Sequence, residues 1–328
     1  MHEQIILGMD VGYSNLGFVS GPAGRPSGCC MPAGAGPANL LPHSMGGSNG
    51  QGVAVTTASG DKWVAGVEPH RFQQWSRDLH ADYPASETYR ALVHAALLRT
   101  QEKHIDHLVT GLPVSQYQDK SAQQRLIDQL AGTHLINGDT TVEVARVTVM
   151  PQPAGAYMDY INHAHDLDVV NQGRILIIDI GFYSVDWVTI EAGEIRMVSS
   201  GSSVNAMSML LGAADQMLHE QFGAKPGVER LERTIRDGHD EILIAGKKVA
   251  LKAVLDEASR HIAGRAMTEL RQSMRADTSA IDLLLLVGGG ARYYESAARE
   301  IFGYAGVQTL ADPVMANPRG FWQAGFLG

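Results

Sequence analysis

One pattern occurs twice, and it constrains the fold more than any other feature of the chain. Near the N-terminus the apolar run Ile5-Ile6-Leu7-Gly8-Met9 ends in Asp10-Val11-Gly12, passes Tyr13-Ser14-Asn15 and resumes as Leu16-Gly17-Phe18-Val19. From Arg174 a second apolar run ends in Asp179-Ile180-Gly181, passes Phe182-Tyr183-Ser184 and resumes as Val185-Asp186-Trp187-Val188-Thr189-Ile190. An offset of 169 residues places Asp10 on Asp179, Gly12 on Gly181, and the aromatic Tyr13 on the aromatic Phe182. Each copy reads as a buried strand, a tight turn and a second strand. The acid sits where the strand end meets solvent, and the glycine lets the backbone bend and come close to a ligand. Two such units, half a chain apart, predict two related domains facing one ligand.

The 328 residues are enough for two domains with substantial cores. A hydrophobic fraction of 45% with 19% charged residues is that of a soluble globular protein. The net charge is -9 and no basic tract occurs, which disfavours direct binding to nucleic acid; a DNA role would run through an adaptor. The two cysteines, Cys29 and Cys30, are adjacent and make no disulfide framework, which fits a reducing compartment. The N-terminus, Met-His-Glu-Gln, lacks a basic leader, and no run of 18 apolar residues is present. The expectation is a cytoplasmic protein without a membrane segment.

Between the two units the chain alternates strands and helices, which predicts an α/β layered fold. Residues 21–50 read as irregular loop or edge strand, and Val53–Thr57 with Lys62–Gly66 as a hairpin, so that 22–70 is expected as a small insertion. A helix is expected over 86–103 with Ser86 as its N-cap, a strand at His107–Thr110, and a helix over 120–131 stopped by Gly132. Val142 to Met150 alternates like one strand, and Pro151-Gln152-Pro153 leads into a helix through about His165. In the second half, Gly201-Ser202-Ser203 reads as a turn before a Met- and Leu-rich core helix over 204–222. A charged helix over 226–236 and a hairpin turning near Gly246 are expected as a second insertion, about 224–251. A long helix over 252–274, a buried strand over 282–287, a helix to Phe302 and a closing helix in the tail complete the reading.

Two carboxylates at two strand ends, each beside a glycine turn, suit a magnesium nucleotide. Magnesium prefers oxygen ligands and keeps several waters, so Asp10 and Asp179 would hold it through its water shell. The backbones of Gly12 to Asn15 and of Gly181 to Ser184 can offer N–H groups to phosphate oxygens, with Ser14, Asn15 and Ser184 adding side-chain donors. Gly288-Gly289-Gly290, after a strand and before a helix, is a third glycine turn against which a flat ring or a phosphate can lie. Neither the dinucleotide fingerprint Gly-x-Gly-x-x-Gly nor a P-loop is present. Gln152 could orient a water but is a poor base. The pairs His163/His165 and His104/His107 read as solvated surface rather than metal sites, and Gly201-Ser202-Ser203 lacks the spacing of a hydrolase nucleophile elbow.

The three glycine turns, in the order phosphate, phosphate, adenosine, resemble the actin-like ATPase superfamily. Three further stretches look like its ParM/StbA plasmid-segregation branch and the archaeal actin-like relatives: Thr110-Gly-Leu-Pro-Val-Ser-Gln-Tyr117, Pro151-Gln-Pro-Ala-Gly155, and Asp312-Pro-Val-Met-Ala-Asn-Pro-Arg-Gly-Phe321. The resemblance implies an actin-like two-domain fold, with duplicated ribonuclease-H-like domains around a nucleotide cleft and two small insertions. Domain I would span 1–165, domain II 166–307, and 308–328 would return to domain I as a helix. It implies ATP or ADP with Mg2+ as ligand, GTP remaining open. Asp10 would help hold the metal, with Gly12, Tyr13, Ser14 and Asn15 on the phosphates. Asp179 would hold the metal and the attacking water, with Gly181, Phe182, Tyr183 and Ser184 at the second phosphate turn. Gln152 would position the water, where the ParM type more usually has Glu. Gly288, Gly289, Gly290 and Ala291 would cradle adenosine and the α-phosphate, and Glu229 and Arg233 would reach purine and ribose. The implied function is a filament-forming ATPase for plasmid partition, with itself and a DNA-binding adaptor as partners. Two alternatives stand beside it: a nucleotide-binding switch or scaffold with little turnover, and a small-molecule kinase, whose sugar-contacting segments are not found here.

Overall fold

The computed structural model describes residues 3–42, 52–57, 59–73, 80, 82–138, 140–164, 166–274 and 280–327. The chain divides into two compact units, one of residues 1–164 with 314–328 and one of residues 165–313.

The first unit opens with β1 (Ile6–Val11), β2 (Asn15–Gly21) and β3 (Ser27–Pro32). Then come β4 (Gly34–Pro37), β5 (Val53–Thr56), β6 (Lys62–Val67) and α1 (Glu87–Thr100). Ser86 caps α1 as expected, its hydroxyl accepting the Tyr89 N–H at 3.1 Å. There follow β7 (His104–Ile105), β8 (His107–Leu112), α2 (Val114–Tyr117), α3 (Lys120–Leu130), β9 (Gly132–Asn137), β10 (Thr140–Val144), β11 (Val147–Pro151) and α4 (Gln152–His163). The main sheet has the order β11-β8-β1-β2-β3, with the first three strands parallel and the rest an antiparallel meander. β8 is buried along its whole length, as a central parallel strand covered on both faces must be.

The second unit holds α5 (Leu167–Gln172), β12 (Arg174–Ile180), β13 (Val185–Glu191), β14 (Glu194–Ile195), β15 (Gly201–Ser203), α6 (Met207–Phe222) and α7 (Val228–Arg236). It continues with β16 (Glu241–Ile244), β17 (Lys247–Ala250), α8 (Lys252–Ser273), β18 (Leu283–Val287), α9 (Ala291–Ile301) and β19 (Gly306–Thr309). Its sheet has the order β19-β18-β12-β13-β14, with β15 also on β13. Read from the parallel end, this is the arrangement of the first sheet, with three parallel strands and then an antiparallel hairpin. The duplication extends to register. Asp10 pairs Gly17 and Val11 pairs Leu16 in one hairpin; Asp179 pairs Asp186 and Ile180 pairs Val185 in the other, the same offset of 169 with no slip.

The chain returns to the first unit as α10 (Ala316–Ala324), which packs on α4, β1 and β8. Its approach depends on missing side chains. A Cβ on Gly320 would overlap the Gly155 carbonyl of α4, and one on Gly8 would overlap the α10 backbone at Pro318 and Trp322. Arg319 locks the crossing with a two-pronged ion pair to the buried Asp159, Nε at 2.9 Å from Oδ1 and a terminal nitrogen at 2.7 Å from Oδ2.

Several expectations need correction. The segment 22–70 is divided: β3 belongs to the main sheet, and the separate three-stranded sheet β4-β6-β5 starts at Gly34, while 43–51 lie outside the described residues. The run 142–150 is two strands in different sheets, because the buried positions Val142 and Val144 give way to Val147 and Val149 across exposed Ala145 and Arg146. That one-residue change of phase moves the inward face, so a single strand could not bury both halves. β9, which starts at Gly132 with a φ of +96°, follows α3 without a loop and was not anticipated. Gly201–Ser203 is an edge strand on β13, not a turn. The Met-rich helix starts at Met207, and α4 ends at His163; His165 lies outside the described residues.

Candidate functional site

In the first unit the turn after β1 is closed by the Gly12 N–H donating to the Asn15 carbonyl at 3.0 Å. Asp10 stands at the base of this turn, half-buried, and each of its oxygens receives one carboxamide. Gln152, the first residue of α4, donates through Nε2 to Oδ1 at 3.0 Å. Asn317, on the first turn of α10, donates through Nδ2 to Oδ2 at 3.2 Å. The other end of the Asn317 amide accepts the Ala156 N–H at 3.2 Å. A carboxylate can only accept and a backbone N–H can only donate, so the two partners fix which way this amide points.

The first turn is also braced by tyrosines. Tyr13 stacks on Tyr83 with ring centroids 4.3 Å apart, and Tyr83 meets Tyr89 edge-on at 5.5 Å. The Tyr83 hydroxyl donates to the Gly12 carbonyl at 3.4 Å, and the Ser14 carbonyl accepts the Ala33 N–H at 2.9 Å. Burial, and then the charge of Asp10, push the Tyr89 phenol well above its ordinary pKa, so it stays protonated beside the carboxylate.

In the second unit the Gly181 N–H donates to the Ser184 carbonyl at 2.9 Å, the same closure. The carbonyls of Gly181 and Phe182 accept from the Met207 and Ser208 N–H groups at the start of α6, at 3.2 and 2.8 Å. Because peptides are planar and trans, the Phe182 and Tyr183 N–H groups are thereby turned away from α6. Two successive N–H groups aimed alike are what an anion requires. Asp179 is 9% exposed at the end of β12. Opposite it, Asp186 is 2% exposed and accepts the Ser184 hydroxyl at 2.6 Å and the Ser202 hydroxyl.

The third glycine turn joins β18 to α9. Gly288 has a φ of +83°, and a Cβ there would lie 2.5 Å from the Ile180 carbonyl and overlap the Asp179 carboxylate. Gly290 donates its N–H to the Ile180 carbonyl at 3.0 Å, and a Cβ on it would run into Ile180 and Met207. Both glycines are therefore required by packing against β12. Gly289 is exposed, whereas Ala291 is buried. Glu229 and Arg233 are exposed and one helical turn apart on α7.

The first unit thus brings together Asp10, Gln152 and the Gly12–Asn15 turn, and the second brings together Asp179, the Gly181–Ser184 turn and Gly288. Sequence reasoning gave no role to Asn317, Asp186 or Tyr83. Asn317 lay within a motif singled out for other reasons, and Asp186 was visible as a polar residue inside an apolar strand. Among the described residues no three His, Cys, Asp or Glu side chains cluster as metal ligands. Single carboxylates presented beside backbone turns fit Mg2+, which takes one or two protein carboxylates and fills its shell with waters and phosphate oxygens. No described helix is long and apolar enough to cross a membrane.

Residues 8–155 match the N-terminal domain of actin-like proteins, and residues 177–300 match the C-terminal domain of the archaeal MreB-like actin homologues. No curated protein sequence matches the chain. Among solved structures, the archaeal actin homologue Ta0583 is similar over 99% of this chain and 100% of its own, with a TM-score of 0.78 at 18% identity. Its complex with ADP is similar at a TM-score of 0.77 and 17% identity, over 99% of this chain and 100% of that one. The subunit of a 15-stranded ParM filament from Clostridium botulinum is similar over the whole of both chains, at a TM-score of 0.77 and 17% identity. With a duplicated sheet and hairpin, a family match to each half, and actin homologues that superpose along its entire length, the chain belongs to the actin-like ATPase superfamily.

Proposed function

We propose that this protein is a nucleotide-driven, filament-forming ATPase of the ParM type, serving plasmid partition through a DNA-binding adaptor. The observation that carries the reading is the repeated turn: an acid, a glycine and a closing N–H···O bond, in one register, in both units. In this reading Asp10 with Gly12–Asn15, and Asp179 with Gly181–Ser184, grip the phosphates, while Gly288–Ala291, Glu229 and Arg233 meet the nucleoside. Mg2+, when bound, supplies positive charge to the phosphate oxygens. Asp179 orients the attacking water and Gln152 holds it in line; neither needs to do more, because phosphoryl transfer is catalysed mainly by positioning and charge stabilisation. The protein works in the cytoplasm and touches neither DNA nor membrane directly.

A second reading has its own support. Gln152 donates to Asp10 and is an amide rather than an acid, which fits a switch that binds ATP and turns it over slowly. Pelleting at tens of micromolar protein with ATP and Mg2+, beside a phosphate-release assay, separates the two. A filament ATPase gives nucleotide-dependent pellets and a phosphate-release rate that Asp179→Ala reduces about 100-fold or more. Equal, negligible release by wild type and variant, with ATP binding intact, identifies the switch. Nucleotide binding without any polymer rejects the filament reading.

A further inference from the structure

We propose that Asn317 is a positioning residue for Asp10, a fixed clamp through which the terminal helix sets the orientation of the first-turn carboxylate. The inference rests on the nucleotide reading above, since it is the phosphate turn that the carboxylate serves.

Asp10 has two amide partners, and they differ in freedom. Asn317 is 4% exposed, and its amide is tied at both ends, to Asp10 Oδ2 and to the Ala156 N–H. The helix that carries it is pinned by the Arg319–Asp159 ion pair and by the Gly155–Gly320 contact. Gln152 is half-buried, has one more rotatable bond, and has its Nε2 on Asp10 Oδ1. Gln152 can therefore leave Asp10 to address a water while Asn317 keeps the carboxylate in place. Without Asn317 the carboxylate would lose the more constrained of these two amides and keep the one that the chemistry asks to move.

A bland alternative is that Asn317 merely fastens α10 to α4 through Ala156. Asn317→Asp separates the two roles. It has the same shape and keeps an acceptor for the Ala156 N–H, but it turns a carboxylate toward Asp10 where an N–H stood. The exchange Asp10→Asn with Asn317→Asp puts the donor on the other side, so that the bond between the two positions can form again beside those to Gln152 Nε2 and the Ala156 N–H.

The experiment has a nucleotide-free arm and a turnover arm on the full chain. In thermal melts without nucleotide, Asn317→Asp should lower Tm by about 5 °C or more, and the exchange should recover most of that loss. In the turnover arm, Asn317→Ala and Asn317→Asp should lower the phosphate-release kcat about tenfold, with ATP affinity by calorimetry within about twofold of wild type. A purely structural fastener would leave the phosphate-release kcat of Asn317→Ala near wild type, whatever the melts of Asn317→Asp show. An exchange that melts no higher than the additive sum of the single variants, or an unchanged kcat in Asn317→Ala, overturns the clamp. If wild type binds no ATP, the nucleotide reading fails on its own, and the melts still decide whether Asn317 holds Asp10.

Discussion

The two hairpins share one register, yet different structures stand behind them. Opposite Asp10 is Gly17, and α10 lies over it: a Cβ at Gly17 would sit 2.8 Å from Pro318 Cγ and 3.3 Å from Met315 Sδ. Opposite Asp179 is Asp186, and the neighbour there is β15, whose Ser202 hydroxyl donates to it. One hairpin is roofed by a helix and needs a hydrogen where the other carries a buried carboxylate. The carbonyls of the turns differ likewise, taken by a tyrosine hydroxyl and by the N–H of Ala33, between β3 and β4, in the first unit and by the start of α6 in the second. What the copies keep is the acid, the glycine and the turn closure; the backing follows local packing. The part common to both is thus the part to which the proposed function assigns the phosphates.

The sharpest way to break the comparison is to remove the helical roof. Gly320→Ala places a methyl group into the Gly155 carbonyl, backbone against backbone, with no flexible side chain to give way. The expected loss is about 3–5 kcal/mol, or roughly 10 °C in Tm by circular dichroism. A variant that melts within 2 °C of wild type, by the same rough scale, would show that α10 does not depend on this crossing.

Acid should act on the same side. Three histidines of the first unit are held neutral: burial pushes His94 down to about 4, and burial is also the main cause that lowers His107 and His134. The Nδ1 of His94 has no hydrogen-bond partner among the described residues, while His107 bonds the Gly325 carbonyl and Thr148 at 3.0 and 2.8 Å. The described histidines of the second unit, His219, His239 and His261, are all exposed. Below about pH 6.5 the unfolded chain takes up protons that the folded first unit refuses, so stability falls with pH. His94 alone contributes at most about 1.4 kcal/mol per pH unit until its folded pKa is reached. Hydrogen exchange at pH 7 and pH 5 should therefore show protection lost first in α1, β8 and β9, and His94→Leu should blunt the effect. Equal loss in both units would refute the assignment.

A smaller effect is expected from Asp186→Ala. It leaves the Ser184 and Ser202 hydroxyls without this acceptor and loosens β15, at about 2 kcal/mol by chemical denaturation. If its cost matches that of an exposed carboxylate, near zero, the strand backing is not what holds the second hairpin.

The hairpins were legible because both of their signals are local: an apolar run that stops at an acid, and a glycine two residues on. The two-domain duplication was legible from the repeat of that signal, and the actin-like architecture from the resemblance that the three glycine turns carry. Distance hid the rest. Asn317 meets Asp10 across 307 positions, and no spacing rule connects them. β15 is built from three small polar residues with little strand preference; Ser203 is held by a hydroxyl bond to Glu269, 66 positions away on α8. The boundary between β10 and β11 was present as a slip of phase that a single alternating reading smooths over. The Gly288 turn was read for its ligand alone, whereas Gly288 and Gly290 also answer to Ile180 and Met207, partners invisible before folding.

The finest test contrasts helical glycines. In the first unit Gly155 and Gly320 sit in α4 and α10, and each would press a Cβ into a neighbouring helix. In the second unit Gly212 in α6 and Gly264 in α8 have nothing within 4 Å of such a Cβ. Nothing there opposes the ordinary preference of a helix for alanine, which comes from restricting the unfolded chain. Gly264→Ala should therefore raise stability by about 0.5–1 kcal/mol, and Gly212→Ala by a similar amount, the two adding because the helices' open faces share no partner at these positions. The same substitution then has opposite signs in the two units. Denaturant midpoints that rise for both second-unit variants and fall for Gly320→Ala would place the difference in helix contact. A fall for Gly264→Ala would mean that α8 has a neighbour there, and an assembled filament is where to look for it, by comparing the variant's melting with and without polymer.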